Sequence, residues 1–357
     1  MEDYYLVKDK GRIFYIEILR AISIIAVIII HISASETLVS FTTTNIKYWW
    51  IQNIFDSLAR WSVPVFVMIS GALLLNPAKQ ELIGMFLKKK GLKMLIPFFV
   101  WGLFYLILSA SVNLDSLTVK YIIRGFIEGP MYYHMWFMYM IIALYAITPL
   151  LKNIILNSNQ DKILYLLLII FISVSLIDLI EKFTSLRVNN FFTIKPLGGF
   201  IGYFILGYYL HTFSFSKVAQ KAIYFGAVVS ALIIPIGTYY LTSKNNGQLD
   251  VYLYDYTNPF VLLISMAIFL AIKNVKWAPN PKNYGTKMIL AVSSTSFGIY
   301  LVHPFVMYCL NRFNLHIFSE VFNPLIRVPL VTLIVLVISI VAVKVLKKIP
   351  YIKNIVP

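Results

Sequence analysis

Long apolar runs separated by short polar connections dominate the pattern of this chain. A helix rises about 1.5 Å per residue, so roughly 20 apolar residues cross a hydrocarbon core about 30 Å thick. Runs of about that length fall at 13–33, 58–76, 94–112, 134–151, 163–180, 197–213, 222–242, 258–273, 288–309 and 328–346. The pattern predicts an all-α, polytopic membrane protein with about ten transmembrane helices, the whole chain 1–357 forming one membrane domain. The longest outer connection, 34–57, reads as a loop too short to hold a core of its own.

The placement of lysine and arginine then orients the runs. With the N-terminus inside, the inner connections carry Lys88, Lys89, Lys90, Lys93, Lys152, Lys162, Lys217, Lys221, Lys273, Lys276, Lys344, Lys347 and Lys348, well beyond what the outer ones hold. Cytoplasmic loops are enriched in these residues, which predicts that both termini are cytoplasmic.

Composition strengthens the membrane reading. The chain is 59% hydrophobic and 13% charged, whereas soluble domains hold roughly 45–50% apolar and 25% charged residues. The net charge of +16 resides in short loops beside apolar runs, so it argues for membrane orientation and against a nucleic-acid partner. Cys309 is the single cysteine, which excludes an internal disulfide and a multi-cysteine metal site; an apolar setting predicts a buried, inert thiol. No phosphate-binding glycine loop and no Cys/His metal spacing is present, and no metal is expected.

Polar residues inside apolar runs carry the candidate chemistry, because charge within a membrane helix is costly and faces a bundle interior or a wet cavity. Glu17, Arg20 and His31 lie in the first run. At about 100° per residue all three share one stripe, with roughly 16 Å of helix between Arg20 and His31. The plainer reading is a Glu17–Arg20 pair at i,i+3 near one interface, with His31 in the opposite headgroup region. In the ninth run Ser293, Ser294, Thr295 and Ser296 precede Gly298, Tyr300, His303 and Pro304; the hydroxyls can bond i−4 carbonyls and the proline frees one, which predicts a kinked cavity wall.

Elsewhere packing and interface roles suffice. Arg60 reads as an outer interfacial anchor, Pro64 as a kink, and Ser70, Gly71, Gly198, Gly199, Gly202 and Gly207 as close-packing residues, with Gly198 and Gly202 in small-xxx-small spacing. His134 and Trp136 suit a membrane-interface belt at the start of the fourth run, which ends at Thr148-Pro149. Trp49, Trp50, Tyr132, Tyr252, Tyr254 and Tyr256 are candidates to stack on sugar faces, although belt residues have the same composition. Asp178 and Glu181 are expected in solvent.

Five segments in order resemble the acyltransferase-3 group of integral-membrane acyltransferases, which includes peptidoglycan and polysaccharide O-acetyltransferases. They are Arg20 and His31 in R-x10-H spacing, PVFVMISG from Pro64 to Gly71, HMWFMYM from His134 to Met140 with Thr148-Pro149 after it, GYFILGYYL from Gly202 to Leu210, and SFGIYLVHP from Ser296 to Pro304. The resemblance implies an O-acyltransferase in the cell membrane of a bacterium, taking an acyl group, most commonly acetyl from acetyl-CoA, on the cytoplasmic side. The acceptor it implies is a hydroxyl of an extracytoplasmic glycan or lipid-linked sugar. It also implies a catalytic His31 and an Arg20 that engages the donor. Some members carry an added extracytoplasmic hydrolase-like domain; none is read here, so the last step is either direct transfer or handover to a separate transferase.

Acyl transfer from a thioester to an alcohol needs a base for the hydroxyl proton and a group to stabilise the oxyanion. A histidine, with an ordinary pKa near 6.5, suits the first task. His31 is therefore expected to be the base or a transient acyl acceptor, Arg20 to contact donor phosphate or carbonyl, and Glu17 to hold Arg20. His134, Ser296, Tyr300 and His303 are supporting candidates, and Lys88, Lys89 and Lys90 are candidates for the donor phosphates. Two other classes fit the same polar column and broken helices: a secondary transporter, and a component that exports or flips a polysaccharide for another enzyme.

Overall fold

The computed structural model describes residues 6–7, 12–34, 38, 41, 45–76, 81–110, 118–184, 197–312, 322–350 and 352–356. Among the described residues fourteen α-helices run in order: α1 Phe14–Ser33, α2 Ile46–Ala59, α3 Ser62–Leu74, α4 Ile83–Phe86, α5 Leu92–Ala110, α6 Val119–Glu128, α7 Trp136–Leu156, α8 Gln160–Phe171, α9 Ile177–Phe183, α10 Leu197–Thr212, α11 Lys217–Lys244, α12 Pro259–Asn274, α13 Tyr284–Arg312 and α14 Pro324–Lys348. Single π-helical turns join α4 to α5 at Leu87–Gly91 and α8 to α9 at Ile172–Leu176. Among the described residues the only strand pairing is a two-residue antiparallel one, Leu6 opposite Ile13 and Val7 opposite Arg12. The protein is an all-α, multi-pass membrane protein.

Nine described stretches are long and apolar enough to span a bilayer, and they match nine of the expected runs. The remaining run, 197–213, forms the apolar α10, described over 16 residues. Several boundaries differ from expectation, among them the third span, which begins at Ile83 rather than near 94. The fourth span continues through Pro149 to Leu156; Thr148 Oγ1 donates 2.7 Å to the Leu144 carbonyl inside the helix. The second span begins at Ile46 rather than near 58, because 46–59 is helix and not loop.

The reason is that α2 is inside-out. Gln52, Asn53, Asp56 and Ser57 recur with helical spacing and are buried, whereas Ile46, Ile54 and Leu58 are exposed. Averaged hydropathy reads such a segment as polar, yet lipid outside and polar partners inside make it a stable membrane helix. Asn53 Nδ2 donates 2.9 Å to the Pro235 carbonyl of α11. The Tyr254 hydroxyl and Ser57 donate to Asn53 Oδ1 at 2.6 and 3.1 Å. Arg327 of α14 donates 3.2 Å to Gln52.

The chain forms two compact units: residues 1–73 with 159–340, and 74–158 with 341–357. In the first, α1 packs against α13, α2 and α12, α11 against α12 and α2, and α10 against α8. Small residues allow backbones to approach where lipid supplies no hydrophobic drive. A Cβ on Gly71 would lie 1.7 Å from the Phe204 carbonyl oxygen, and one on Gly207 would lie 1.9 Å from that of Met68, so α3 and α10 cross in backbone contact at two reciprocal glycines. Gly71 and Gly207 meet their expectation, while Gly202 faces Ile170 and Phe171 side chains.

The second unit pairs α5 with α6 and α7, and the chain's C-terminal turn, Ile352–Ile355, returns to α5. Its interior is aromatic: Phe98 packs edge-on against Tyr139 and Phe126, and Tyr105 stacks on Tyr132 at 4.7 Å.

Candidate active site

The first unit gathers most of the candidate residues along α1 and α13, which run side by side. At one end Glu17 is 4% exposed and held twice: Ser293 Oγ donates 2.5 Å to one carboxylate oxygen, and Arg20 Nη1 lies 3.3 Å from the other. Arg20, the less buried partner at 31% side-chain exposure, can therefore meet a ligand while its acid stays locked to α13. The i,i+3 pair expected from spacing is present, and the first of the α13 hydroxyls is its outside partner.

Toward the other end of the helix the His31 and His303 rings stack, centroids 5.2 Å apart and planes 29° from parallel. His303 is fully buried, and its orientation follows from the next residue. Pro304 has no N–H, so the Tyr300 carbonyl loses its helical partner. His303 Nδ1 fills that vacancy at 2.9 Å and shares itself with the Ile299 carbonyl at 3.0 Å. Carbonyl oxygens only accept, so Nδ1 carries the proton and, in the neutral ring, Nε2 carries the lone pair. The His-Pro step thus fixes the tautomer of a buried imidazole beside His31. Tyr300 is buried with its ring 6.4 Å from that of His303, and Ser296, also buried, lies one turn before Tyr300. Thr295 Oγ1 donates to the Ala291 carbonyl at 2.8 Å, the i−4 bond expected of this hydroxyl run.

Two residues to which the sequence reading gave no part in a site, Asp56 and Arg60, lie on α2 and at its C-terminal end, and α2 packs against α1. Arg60 is not an interfacial anchor: its side chain is 15% exposed, it forms an ion pair with the fully buried Asp56, and its guanidinium lies 4.4 Å over the Tyr254 ring. The signal was available in the helical spacing of Gln52, Asn53, Asp56, Ser57 and Arg60.

The other candidates belong to the second unit or take core positions. His134 belongs to the second unit, buried in a cage of Tyr105, Tyr132 and Tyr133 with ring centroids at 4.8, 5.8 and 5.5 Å. Lys88, Lys89 and Lys90 sit on the π-turn of that unit, Lys89 facing Glu81 at 3.9 Å. Trp49 and Tyr254 are core residues rather than sugar platforms: Trp49 is fully buried against Phe41, Trp50 and Tyr239. Tyr132 is taken up by Tyr105. Cys309 is half-buried rather than enclosed. Among the described residues no group of three His, Cys, Asp or Glu side chains is placed to hold a metal ion.

A family model described as an acyltransferase domain, of the acyltransferase-3 group, matches residues 13–344 and so takes in every residue of the α1–α13 site. No curated protein and no solved structure gives a match. With the match running nearly end to end over a multi-pass helical fold, the chain belongs to the acyltransferase-3 family of membrane acyltransferases.

Proposed function

We propose that this membrane acyltransferase takes an acyl group, acetyl in the simplest case, from acyl-CoA on the cytoplasmic side and passes it to a hydroxyl of an extracytoplasmic or lipid-linked glycan. The observation that supports this most is the stacked His31–His303 pair on the helix whose other end carries the Glu17-held Arg20. His31 takes the proton of the acceptor hydroxyl as its oxygen attacks the thioester carbonyl. The C–S bond breaks, and the leaving thiolate recovers that proton from the imidazolium. Should the acceptor arrive second, His31 holds the acyl group in the interval.

In this reading His303 orients His31 through its fixed ring, and Tyr300 and Ser296 supply O–H donors for the oxyanion. Arg20 contacts donor phosphate or carbonyl oxygens. Lys88 and Lys89, exposed on their turn, and the half-buried Lys90 raise the local concentration of an anionic donor, and His134 has a supporting part in the second unit. The test is thioester consumption by purified protein in nanodiscs given radiolabelled acetyl-CoA without acceptor. Slow hydrolysis or protein-bound label, lost in a folded His31→Ala protein, is expected. Solute uptake without any thioester cleavage would overturn the proposal in favour of a transporter.

A further inference from the structure

The second unit contains a cavity of about 590 Å³ lined by Leu92, Lys93 and Ile96 of α5, Lys347 of α14, and Lys353, Asn354 and Val356 of the C-terminal turn. It is distinct from the α1–α13 site, and none of Lys88, Lys89 and Lys90 lines it. Its polar wall is unbalanced: among the described residues it holds three lysines and one amide and no acidic side chain. Lysine ammonium groups are point-charge partners for phosphate oxygens, and convergent cations at a concave surface mark an anion site. The opposite wall, Leu92, Ile96 and Val356, is apolar. A volume in the usual range of small-molecule sites, roughly 300–1,000 Å³, exceeds what a lone phosphate fills.

The wall that brings Lys353 in is built and not incidental. Trp101 Nε1 of α5 donates 2.9 Å to the Ile355 carbonyl, and Val356 is fully buried. These two contacts fold the end of the chain back over α5 and set Lys353 beside Lys93 and Lys347.

We propose that this open cavity is a phosphate-binding site, walled on one side by the C-terminal turn, in which Lys93, Lys347 and Lys353 hold the phosphates and Leu92 and Ile96 take a less polar part of the same ligand. Two sources carry that chemistry: the diphosphate of a soluble nucleotide-type molecule such as the acyl donor, and the headgroup of an anionic phospholipid. The first source rests on the acyl-CoA reading above; the site itself does not.

The full chain in phosphatidylcholine nanodiscs is titrated with coenzyme A, which has no acyl group to transfer, and with inorganic pyrophosphate as competitor. Parallel nanodiscs containing phosphatidylglycerol are analysed for retained lipid by native mass spectrometry. Saturable coenzyme A binding, displaced by pyrophosphate and weakened roughly tenfold by each of Lys353→Gln and Lys347→Gln, assigns the soluble source. Retained phosphatidylglycerol that both variants release assigns the lipid source. Trp101→Phe, which loosens the turn while leaving every lysine, is expected to weaken the same ligand a few-fold. Wild-type binding of both ligands in a folded Lys93→Gln/Lys347→Gln/Lys353→Gln protein overturns the site. That result leaves acyl transfer standing if thioester is still consumed, and pyrophosphate binding without thioester consumption keeps the site while removing the acyl-CoA reading.

Discussion

Arg20 and Arg60 each follow an acid by one helical turn in an apolar setting, yet the two pairs are built for different work. Glu17 is buried and Arg20 reaches outward, so the acid is anchored by Ser293 and the cation is left to act. At the second pair both partners are enclosed, and the guanidinium is covered by Tyr254. A buried pair whose partner is removed leaves an uncompensated charge, whereas a half-exposed cation finds water. The comparison teaches that the more enclosed arginine is held mainly for the architecture around His31, and the more open one for a ligand.

The largest expected effect breaks the enclosed pair. Asp56→Ala is expected to destabilise the protein by about 3–5 kcal/mol, read as a lower midpoint of unfolding in detergent. Glu17→Ala, which gives up the Ser293 bond and a partly wet ion pair, is expected to cost about 1–3 kcal/mol. Equal losses would dissolve the distinction. Next in size, Arg20→Ala is expected to raise KM for the acyl donor about tenfold or more with kcat less affected. Arg60→Lys keeps the charge but loses the planar stacking on Tyr254 and is expected to cost stability rather than donor KM. The smallest effect sharpens the picture at His303: Pro304→Ala returns an N–H to the Tyr300 carbonyl, competes with Nδ1 for it, and is expected to slow turnover a few-fold, about 1 kcal/mol, without loss of folding.

Much of this was legible before any coordinates. A bilayer demands long apolar runs, so the helices announced themselves, and the Glu17–Arg20–His31 stripe followed from helical geometry alone. The His-Pro step predicted a freed carbonyl, though not that His303 itself would occupy it. The inside-out α2 was illegible to hydropathy because Gln52, Asn53, Asp56 and Ser57 lower the mean of a segment whose polar face points inward; periodicity of the polar positions would have found it. The lysine cavity was hidden for a different reason. Lys93 and Lys353 are 260 positions apart in the chain, and contacts such as the Trp101–Ile355 bond bring their segments together.

The central claim is that His31 and His303 act as one unit in acyl transfer. A double-mutant cycle tests it directly, with His31→Ala, His303→Ala and the double variant compared in nanodiscs for consumption of radiolabelled acetyl-CoA. Loss of a catalytic base costs roughly 10²–10⁴-fold, and residues that work together are strongly non-additive. The double variant is predicted to be little worse than His31→Ala alone; single losses that multiply in the double variant, or full activity in His31→Ala, would contradict the account.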